Sequence, residues 1–397
     1  MNLANPQEQA GAQPASDLRI PQTVRGPRIP QWFYRVFLAL ALLSLVGCLV
    51  ELARGDRSLV ALFLGGSFLC FAIGAGGCAA LRNWIFLVWL STAIVFGMTI
   101  PSWFISAGDF KFTRLFIPLL QVIMFCMGTT LSVQDFARVI RMPKAVFVGL
   151  ICHFTIMPLV GFGLAKAFGF PPEVGAGIIL VGSVPSGLAS TVMVFLARAD
   201  VALSVTFTAI ASLLAPIITP FLVQQLAGEM IQIHAGALMW DLTKMTVFPV
   251  IAGVAWHHWM QARTKWLSRM LPYLSIVAII AMTVLTIAVG RDNLLRLGIL
   301  LIVACFLHST IGYCLGYLVC RCLRMNESTC RTLAIEVGMQ NAGMASAVAA
   351  SLNKVATLGL APIIFGPVMN ITASTLANWW RAHPIEPKQP SRELPDP

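Results

Sequence analysis

Charged residues are scarce in this chain of 397 residues. They make up 11% of the sequence and hydrophobic residues 58%, whereas a soluble domain usually has about 25% charged residues. Apolar runs of about 18 or more residues, long enough to cross a bilayer, recur along nearly the whole length. The composition therefore predicts an all-α polytopic membrane protein.

The chain also lacks the motifs of metal and redox centres. Its 10 cysteines are scattered, without a CxxC pair or a Cys/His ligand spacing, so neither a zinc site nor a disulfide framework is supported. It contains no HExxH motif or paired carboxylates of a membrane-embedded enzyme. The net charge of +11 has no soluble domain to carry it, which argues against nucleic-acid binding. We expect no enzymatic activity and no cofactor other than coupling ions.

About twelve apolar segments could cross the membrane, joined by short connections. Their predicted limits are 33–53, 58–81, 84–106, 113–133, 145–168, 174–197, 201–226, 240–260, 272–290, 297–320, 331–352 and 358–380. Residues 1–32 lack the apolar core of a secretory signal and are predicted to be a disordered cytoplasmic tail. Residues 382–397 are predicted to form a second cytoplasmic tail.

The distribution of Lys and Arg predicts the orientation. With the N-terminus inside the cell, basic residues near the span ends are about twice as frequent on the cytoplasmic side, as the positive-inside rule requires. We therefore expect a multi-pass protein of the cell (inner) membrane with both termini in the cytoplasm.

The most informative segment is Glu336–Gly343 (EVGMQNAG), which lies inside a predicted span. A carboxylate in the hydrocarbon layer costs at least a few kcal/mol unless it is paired. The adjoining Gly343–Val348 (GMASAV) is similar to Gly187–Val192 (GLASTV) in the sixth span. Because five spans separate the two copies, they have opposite orientations. The sequence thus predicts two inverted five-helix repeats, at 84–236 and 237–381, behind a two-helix extension at 33–83.

Both copies contain residues that interrupt helices. Pro185 and Gly187 predict a break in the sixth span, and Gly338 predicts one in the eleventh. A break frees carbonyl oxygens that can hold a cation and exposes a half-helix N-terminus that can hold an anion. Ser204 and Thr208, one turn apart in the seventh span, could face Ser190, although small polar residues also serve simple helix packing.

Four motifs carry a resemblance to the bile acid:sodium symporter family, bacterial type. They are Met124–Leu131 (MFCMGTTL), Pro185–Ser190 (PSGLAS), Leu196–Ser204 (LARADVALS) and Glu336–Asn341 (EVGMQN). The resemblance covers about 84–380 and implies a ten-helix core of two inverted repeats with two broken, crossing helices. It also implies sodium-coupled symport of an organic anion, such as a bile acid, a pantothenate precursor or another small carboxylate or sulfonate.

The resemblance further implies the binding residues. The first sodium site would use Ser190, Thr191, Ser204, Thr208 and Glu336. The second would use Glu336, Gln340, the backbone of Val337 and Met339, and His153. Substrate would bind near Ser186, Gly187, Leu188, Ala189, Asn341 and Asn370.

Two positions depart from the family pattern. Thr191 stands where bacterial members commonly have Asn, and His153 where they commonly have Gln. A neutral imidazole offers a hard cation only a nitrogen atom, so a proton-coupled or single-sodium carrier remains an alternative, as does a histidine satisfied by its neighbours. A channel and a membrane-embedded enzyme are alternatives of other classes.

Overall fold

The computed structural model describes residues 30–54, 57–78, 85–131, 142–260 and 265–385. Most of both predicted tails, at 1–29 and 386–397, lies outside the described residues. The same holds for the connections at 55–56, 79–84, 132–141 and 261–264, which contain several of the basic residues behind the predicted orientation.

The described residues are mostly helical. The helices are α1 (Gln31–Arg54), α2 (Arg57–Ala75), α3 (Ile85–Thr99), α4 (Ser102–Ile105), α5 (Phe116–Thr130), α6 (Pro143–Ala167), α7 (Pro172–Ser183), α8 (Leu188–Leu196), α9 (Val201–Ala227), α10 (Ala235–Leu242), α11 (Phe248–Met260), α12 (Lys265–Cys322), α13 (Glu327–Gly338), α14 (Ala342–Ser351) and α15 (Leu360–Ala382). A two-stranded antiparallel hairpin, β1 (Ser106–Ala107) and β2 (Phe110–Lys111), leads through the 3₁₀ turn Phe112–Leu115 into α5. The π-helical turn Thr243–Val247 joins α10 to α11.

The length and composition of these helices fit a multi-pass membrane protein. Among the described residues, 7 helical segments are long and apolar enough to cross a membrane. Helices α7 and α8, which bend by 59° at their junction, add an eighth if they form one span. Helices α2 and α3 contain shorter apolar stretches. The polytopic class is confirmed, while the number of twelve crossings stays a prediction.

Helix α12 differs from its prediction. The sequence predicted spans at 272–290 and 297–320 with a connection between them, and in the structure the helical conformation runs through that connection, from Lys265 to Cys322. The connection at 291–296 contains neither Gly nor Pro, so nothing in it interrupts helical hydrogen bonding. Its polar side chains also have partners in the protein: Arg291 donates to the Met98 carbonyl at 2.8 Å and Asn293 to the Ala356 carbonyl at 2.9 Å.

Helices α7 and α13 lie in the centre of the molecule. Every residue from Val174 to Ser183 in α7 and from Thr329 to Gly338 in α13 is buried. Helices α6 and α9 pack against both of them, α15 packs against α7, and α12 packs against α13. Polar side chains on α13 must therefore find partners inside the protein, because burying an unpaired polar group is costly.

The two regions around α7–α8 and α13–α14 have matching backbones. Helices α7 and α13 contain 12 residues each, and one separation along the chain relates both their first and their last residues. The same separation relates two pairs of residues with positive φ. Gly169 (61°) and Arg324 (54°) precede the broken helices, and Arg198 (54°) and Asn353 (56°) follow them. The similarity of two short motifs thus extends to the course of the backbone.

Candidate cation and anion site

The break between α7 and α8 lies at residues 184–187. Helix α7 ends at Ser183, Val184 is extended (φ −86°, ψ 158°), and α8 begins after the extended Gly187. Pro185 has no N–H group, so it cannot continue the helical hydrogen-bond ladder. The interruption leaves carbonyl groups at the end of α7 and N–H groups at the start of α8 without helical partners.

The break between α13 and α14 lies at residues 339–341 and contacts the first. Asn341 caps α14 by accepting a 2.9 Å hydrogen bond from the Met344 N–H through Oδ1. Its own N–H donates to the Pro185 carbonyl oxygen at 2.8 Å. Gly338 permits the close packing of α13 on α12, since a Cβ atom there would lie 2.0 Å from Cδ1 of Tyr313. The two interruptions therefore meet directly, backbone to backbone.

The carboxyl group of Glu336 is fully buried beside this junction and is surrounded by four hydroxyl groups. Oε1 accepts hydrogen bonds from Ser190 at 2.8 Å and Ser204 at 2.5 Å. Oε2 accepts from Ser186 at 2.5 Å and Thr208 at 2.9 Å. The hydroxyl groups come from the first break, from α8 and from α9. This arrangement brings together three of the predicted neutral sodium ligands, Ser190, Ser204 and Thr208, and adds Ser186.

Hydroxyl hydrogens are fewer than the contacts between oxygen atoms on both sides of the carboxyl group, because Ser186 Oγ also lies 3.1 Å from Thr208 Oγ1. Ser190 Oγ lies 2.7 Å from the Gly187 carbonyl oxygen as well as 2.8 Å from Glu336 Oε1, yet it has one hydrogen to donate. Ser204 Oγ likewise lies 3.0 Å from Thr191 Oγ1, which is how the predicted ligand Thr191 joins the cluster. Oxygen atoms therefore outnumber hydrogens around Oε1, and such a concentration of oxygen suits a hard cation.

None of the ion pairs among the described residues involves Glu336. Its carboxyl group has neutral partners only. The described part of the chain also contains no group of three or more His, Cys, Asp or Glu side chains that could hold a metal ion. A cation at this site would be held by hydroxyl and carbonyl oxygens around a single carboxylate.

His153 in α6 contacts both broken spans. Its ring is fully buried, with Nδ1 3.1 Å from the Glu336 carbonyl oxygen and Nε2 2.9 Å from the Val184 carbonyl oxygen. The rings of Phe154 and Phe207 pack edge-on against it, at centroid distances of 5.0 and 5.7 Å. The imidazole is thus fixed between two carbonyl groups that belong to different broken spans.

The remaining residues of the predicted second sodium site have separate arrangements. The Gln340 side-chain Nε2 donates to the Val337 carbonyl at 3.0 Å, while its buried Oε1 has no hydrogen-bond partner among the described residues. The Met339 N–H donates to the Ile335 carbonyl oxygen at 3.0 Å and completes the last turn of α13.

The predicted substrate residues are divided between two environments. Gly187, Leu188 and Ala189 form the start of α8, and Leu188 and Ala189 are half-buried. Asn341 lies opposite Gly187, and Asn370 in α15 donates to the Gly366 carbonyl at 2.8 Å. Ser186 instead directs its hydroxyl group to Glu336. The sequence did not indicate this contact, because helical periodicity does not fix the direction of a side chain within a break.

Comparison with known proteins decides the family. The sequence profile of the Sodium Bile acid symporter family matches residues 117–298. A Bacillus subtilis (strain 168) protein, the uncharacterized sodium-dependent transporter YocS, is 38% identical over 296 residues, which cover 74% of this chain and 90% of that protein. The chain belongs to the sodium bile acid symporter family. It is therefore a membrane transporter and not an enzyme, as the sequence predicted.

Other members of the family are similar over comparable lengths. The probable chloroplastic sodium/metabolite cotransporter BASS1 of Arabidopsis thaliana is 32% identical over 298 residues, 75% of this chain and 73% of that protein. The ileal sodium/bile acid cotransporter of Oryctolagus cuniculus is 30% identical over 239 residues, 58% of this chain and 67% of that protein.

Proposed function

We propose that this symporter carries an organic anion across the membrane together with sodium, by alternating access. The observation that carries the proposal is the buried carboxyl group of Glu336, which four hydroxyl groups surround at the contact between two helix breaks. An ionisable side chain inside a membrane protein is expensive and is retained for function. Neutral hydroxyl partners and a crowd of oxygen atoms make a site suited to a monovalent cation.

Sodium would bind on the Oε1 side of Glu336. Ser190 and Ser204 can rotate their hydroxyl hydrogens away and present lone pairs to the ion, because each hydroxyl oxygen has two acceptor sites. Thr191 Oγ1 and the Gly187 carbonyl lie within reach of the same hydroxyl groups and complete an oxygen shell. Binding of sodium would neutralise the carboxylate and hold α8 and α9 against α13.

The substrate would bind where the two half-helices begin. The N-termini of α8 and α14 meet at Gly187 and Asn341, and each is the positive end of a helix dipole. A carboxylate or sulfonate suits such a position. The named relatives include a bile acid cotransporter and a metabolite cotransporter, so we propose an amphipathic or small organic anion as the substrate class.

The proposed architecture has twelve crossings, with repeats at 84–236 and 237–381 in opposite orientations and both termini in the cytoplasm of an inner-membrane protein. The matched bounds of α7 and α13 and the paired positive-φ residues support the repeat. A panel of α3, α5, α10–α11 and the first half of α12 would rock against a core. The core would consist of α6–α9, the second half of α12 and α13–α15. Helices α1 and α2 would stand outside both, as α1 packs against α2, and α2 against α3.

Uptake by proteoliposomes tests the proposal. Purified full-length protein would be screened by thermal shift against taurocholate, pyruvate and pantoate, with and without sodium. The stabilising anion, radiolabelled, would then be offered under an inward sodium gradient at fixed pH, with choline as the control cation. We expect saturable, sodium-stimulated uptake. Sodium-independent uptake that follows a proton gradient would refute sodium coupling, and ionic currents far above carrier turnover would indicate a channel.

A further inference from the structure

The position of His153 decides how many sodium ions the site can hold. Two carbonyl oxygens freed by the breaks, those of Val184 and Glu336, would be natural ligands of a second ion, since one belongs to each broken span. The imidazole ring lies between them, with a different nitrogen atom facing each one at 2.9 and 3.1 Å. We infer that His153 takes the place of the second sodium ion and that this transporter couples to one sodium per cycle.

The imidazole ring of His153 prevents one sodium ion from contacting both carbonyl oxygens. The two nitrogens of an imidazole flank the Cε1 atom and direct their hydrogen-bonding positions away from each other, so the two carbonyl oxygens lie on different sides of the ring. No single ion can touch both oxygens while the ring is present. The rings of Phe154 and Phe207 pack against the imidazole, which is completely buried, so it has no exposure to solvent.

The other oxygen atoms nearby do not form a replacement site. The Val337 carbonyl oxygen accepts a hydrogen bond from the side-chain amide of Gln340. Gln340 Oε1 alone is buried without a partner in this region of the described structure. Hard cations are held by several oxygen ligands, and one amide oxygen is too few.

The contrast with the Oε1 side of Glu336 identifies the site that remains. There the hydroxyl groups of Ser190 and Ser204 contact Oε1, the Gly187 carbonyl oxygen and Thr191 Oγ1, so four neutral oxygen atoms gather beside one carboxylate oxygen. A glutamine in place of His153 would supply a carbonyl oxygen and remove the ring. It would thereby free Val184 and Glu336 carbonyl oxygens for a second ion.

Direct binding of sodium tests the inference, which rests on the proposed function. Full-length protein in nanodiscs would be titrated with ²²Na⁺ in a scintillation proximity assay, without substrate and with choline chloride at constant ionic strength. We expect about one bound ion per chain for the wild type and about two for His153→Gln. His308→Gln is the matched control. His308 is an equally buried histidine whose Nε2 contacts the Met157 carbonyl oxygen at 2.9 Å, and its replacement should leave the number at one.

A second measurement reports on the same number without counting ions. Each ion that binds only the folded state adds a term to its stability that grows with the logarithm of sodium concentration. The slope of the melting temperature against that logarithm, at saturating sodium, should be about twice as steep for His153→Gln as for the wild type. Two ions bound by the wild type, or a folded His153→Gln variant that binds one, would overturn the inference and leave sodium coupling standing. No sodium bound by the wild type would instead refute the proposed function.

Discussion

Helices α7 and α13 have the same length, and the last ten residues of each are buried. Each is followed by a break, but the polar groups at the two breaks differ. The break after α7 supplies hydroxyl groups and a proline, and every residue of α7 from Val174 to Ser183 is uncharged. The last turn of α13 carries the Glu336 carboxyl group, and the break after it carries the two amides Gln340 and Asn341. The comparison shows that one backbone arrangement occurs twice, while the buried carboxyl group on which the proposed cation site depends occurs once.

The largest expected effect comes from removing that charge. Glu336→Gln keeps the size of the side chain but removes the negative charge and one of the two oxygens, each of which accepts two hydrogen bonds from hydroxyl groups. Hydrogen bonds to charged groups contribute about 1.5–3 kcal/mol each, so we expect sodium affinity to fall at least about 100-fold. Sodium-stimulated uptake and ²²Na⁺ binding would both measure it.

Glu327→Gln is the control for this change, because Glu327 lies in the same helix and pairs with Arg331 at 2.8 Å, away from the breaks. It should leave sodium affinity within a few-fold of the wild type. Wild-type sodium dependence in Glu336→Gln would show that the site is assigned to the wrong residue.

A second comparison uses one glycine from each break. A Cβ atom at Gly338 would lie 2.0 Å from the Tyr313 ring, whereas one at Gly187 would be 3.6 Å or more from its neighbours. Gly338→Ala should therefore lower the free energy of unfolding by about 1–3 kcal/mol through overpacking, and Gly187→Ala should leave it nearly unchanged. Thermal unfolding in detergent would compare the two variants. Equal stability of both would mean that the breaks are packed alike.

The smallest effect is expected from a single neutral ligand. Ser190→Ala removes one hydroxyl group from the Oε1 side and should weaken sodium binding by roughly tenfold or less, since a neutral hydrogen bond contributes about 1 kcal/mol. Ser183→Ala is the matched control, because that buried hydroxyl donates to the Ile179 carbonyl within α7 at 2.8 Å. A larger sodium effect in Ser183→Ala than in Ser190→Ala would contradict the ligand assignment.

The chemistry of the site was predictable from the sequence because an unpaired carboxylate in an apolar segment has few explanations. Glu336 indicated a site, and the helical spacing of Ser204 and Thr208 indicated which face of α9 turns towards it. The contacts of Ser186 and His153 were not predictable. Ser186 lies in an irregular segment where no periodicity sets the side-chain direction, and the position of His153 between two carbonyl groups depends on how three helices pack.

The fold was predictable to the same extent. Long apolar segments and the Pro–Gly interruption gave the helices and the first break. The helical conformation of residues 291–296 in α12 was missed because Arg291, Asp292 and Asn293 resemble a polar connection. Their helical state depends on partners elsewhere in the chain, such as the Met98 and Ala356 carbonyl groups, and a single sequence does not identify such partners.

The hydrogen bond from the Asn341 N–H to the Pro185 carbonyl oxygen has a mechanical consequence. It joins the two interrupted spans beside the position proposed for the substrate. A shift of one span along the membrane normal would therefore move the other span or break this hydrogen bond. Under the proposed alternating access, the panel helices would move past the two joined breaks, and a crosslink between these breaks should leave transport turnover intact.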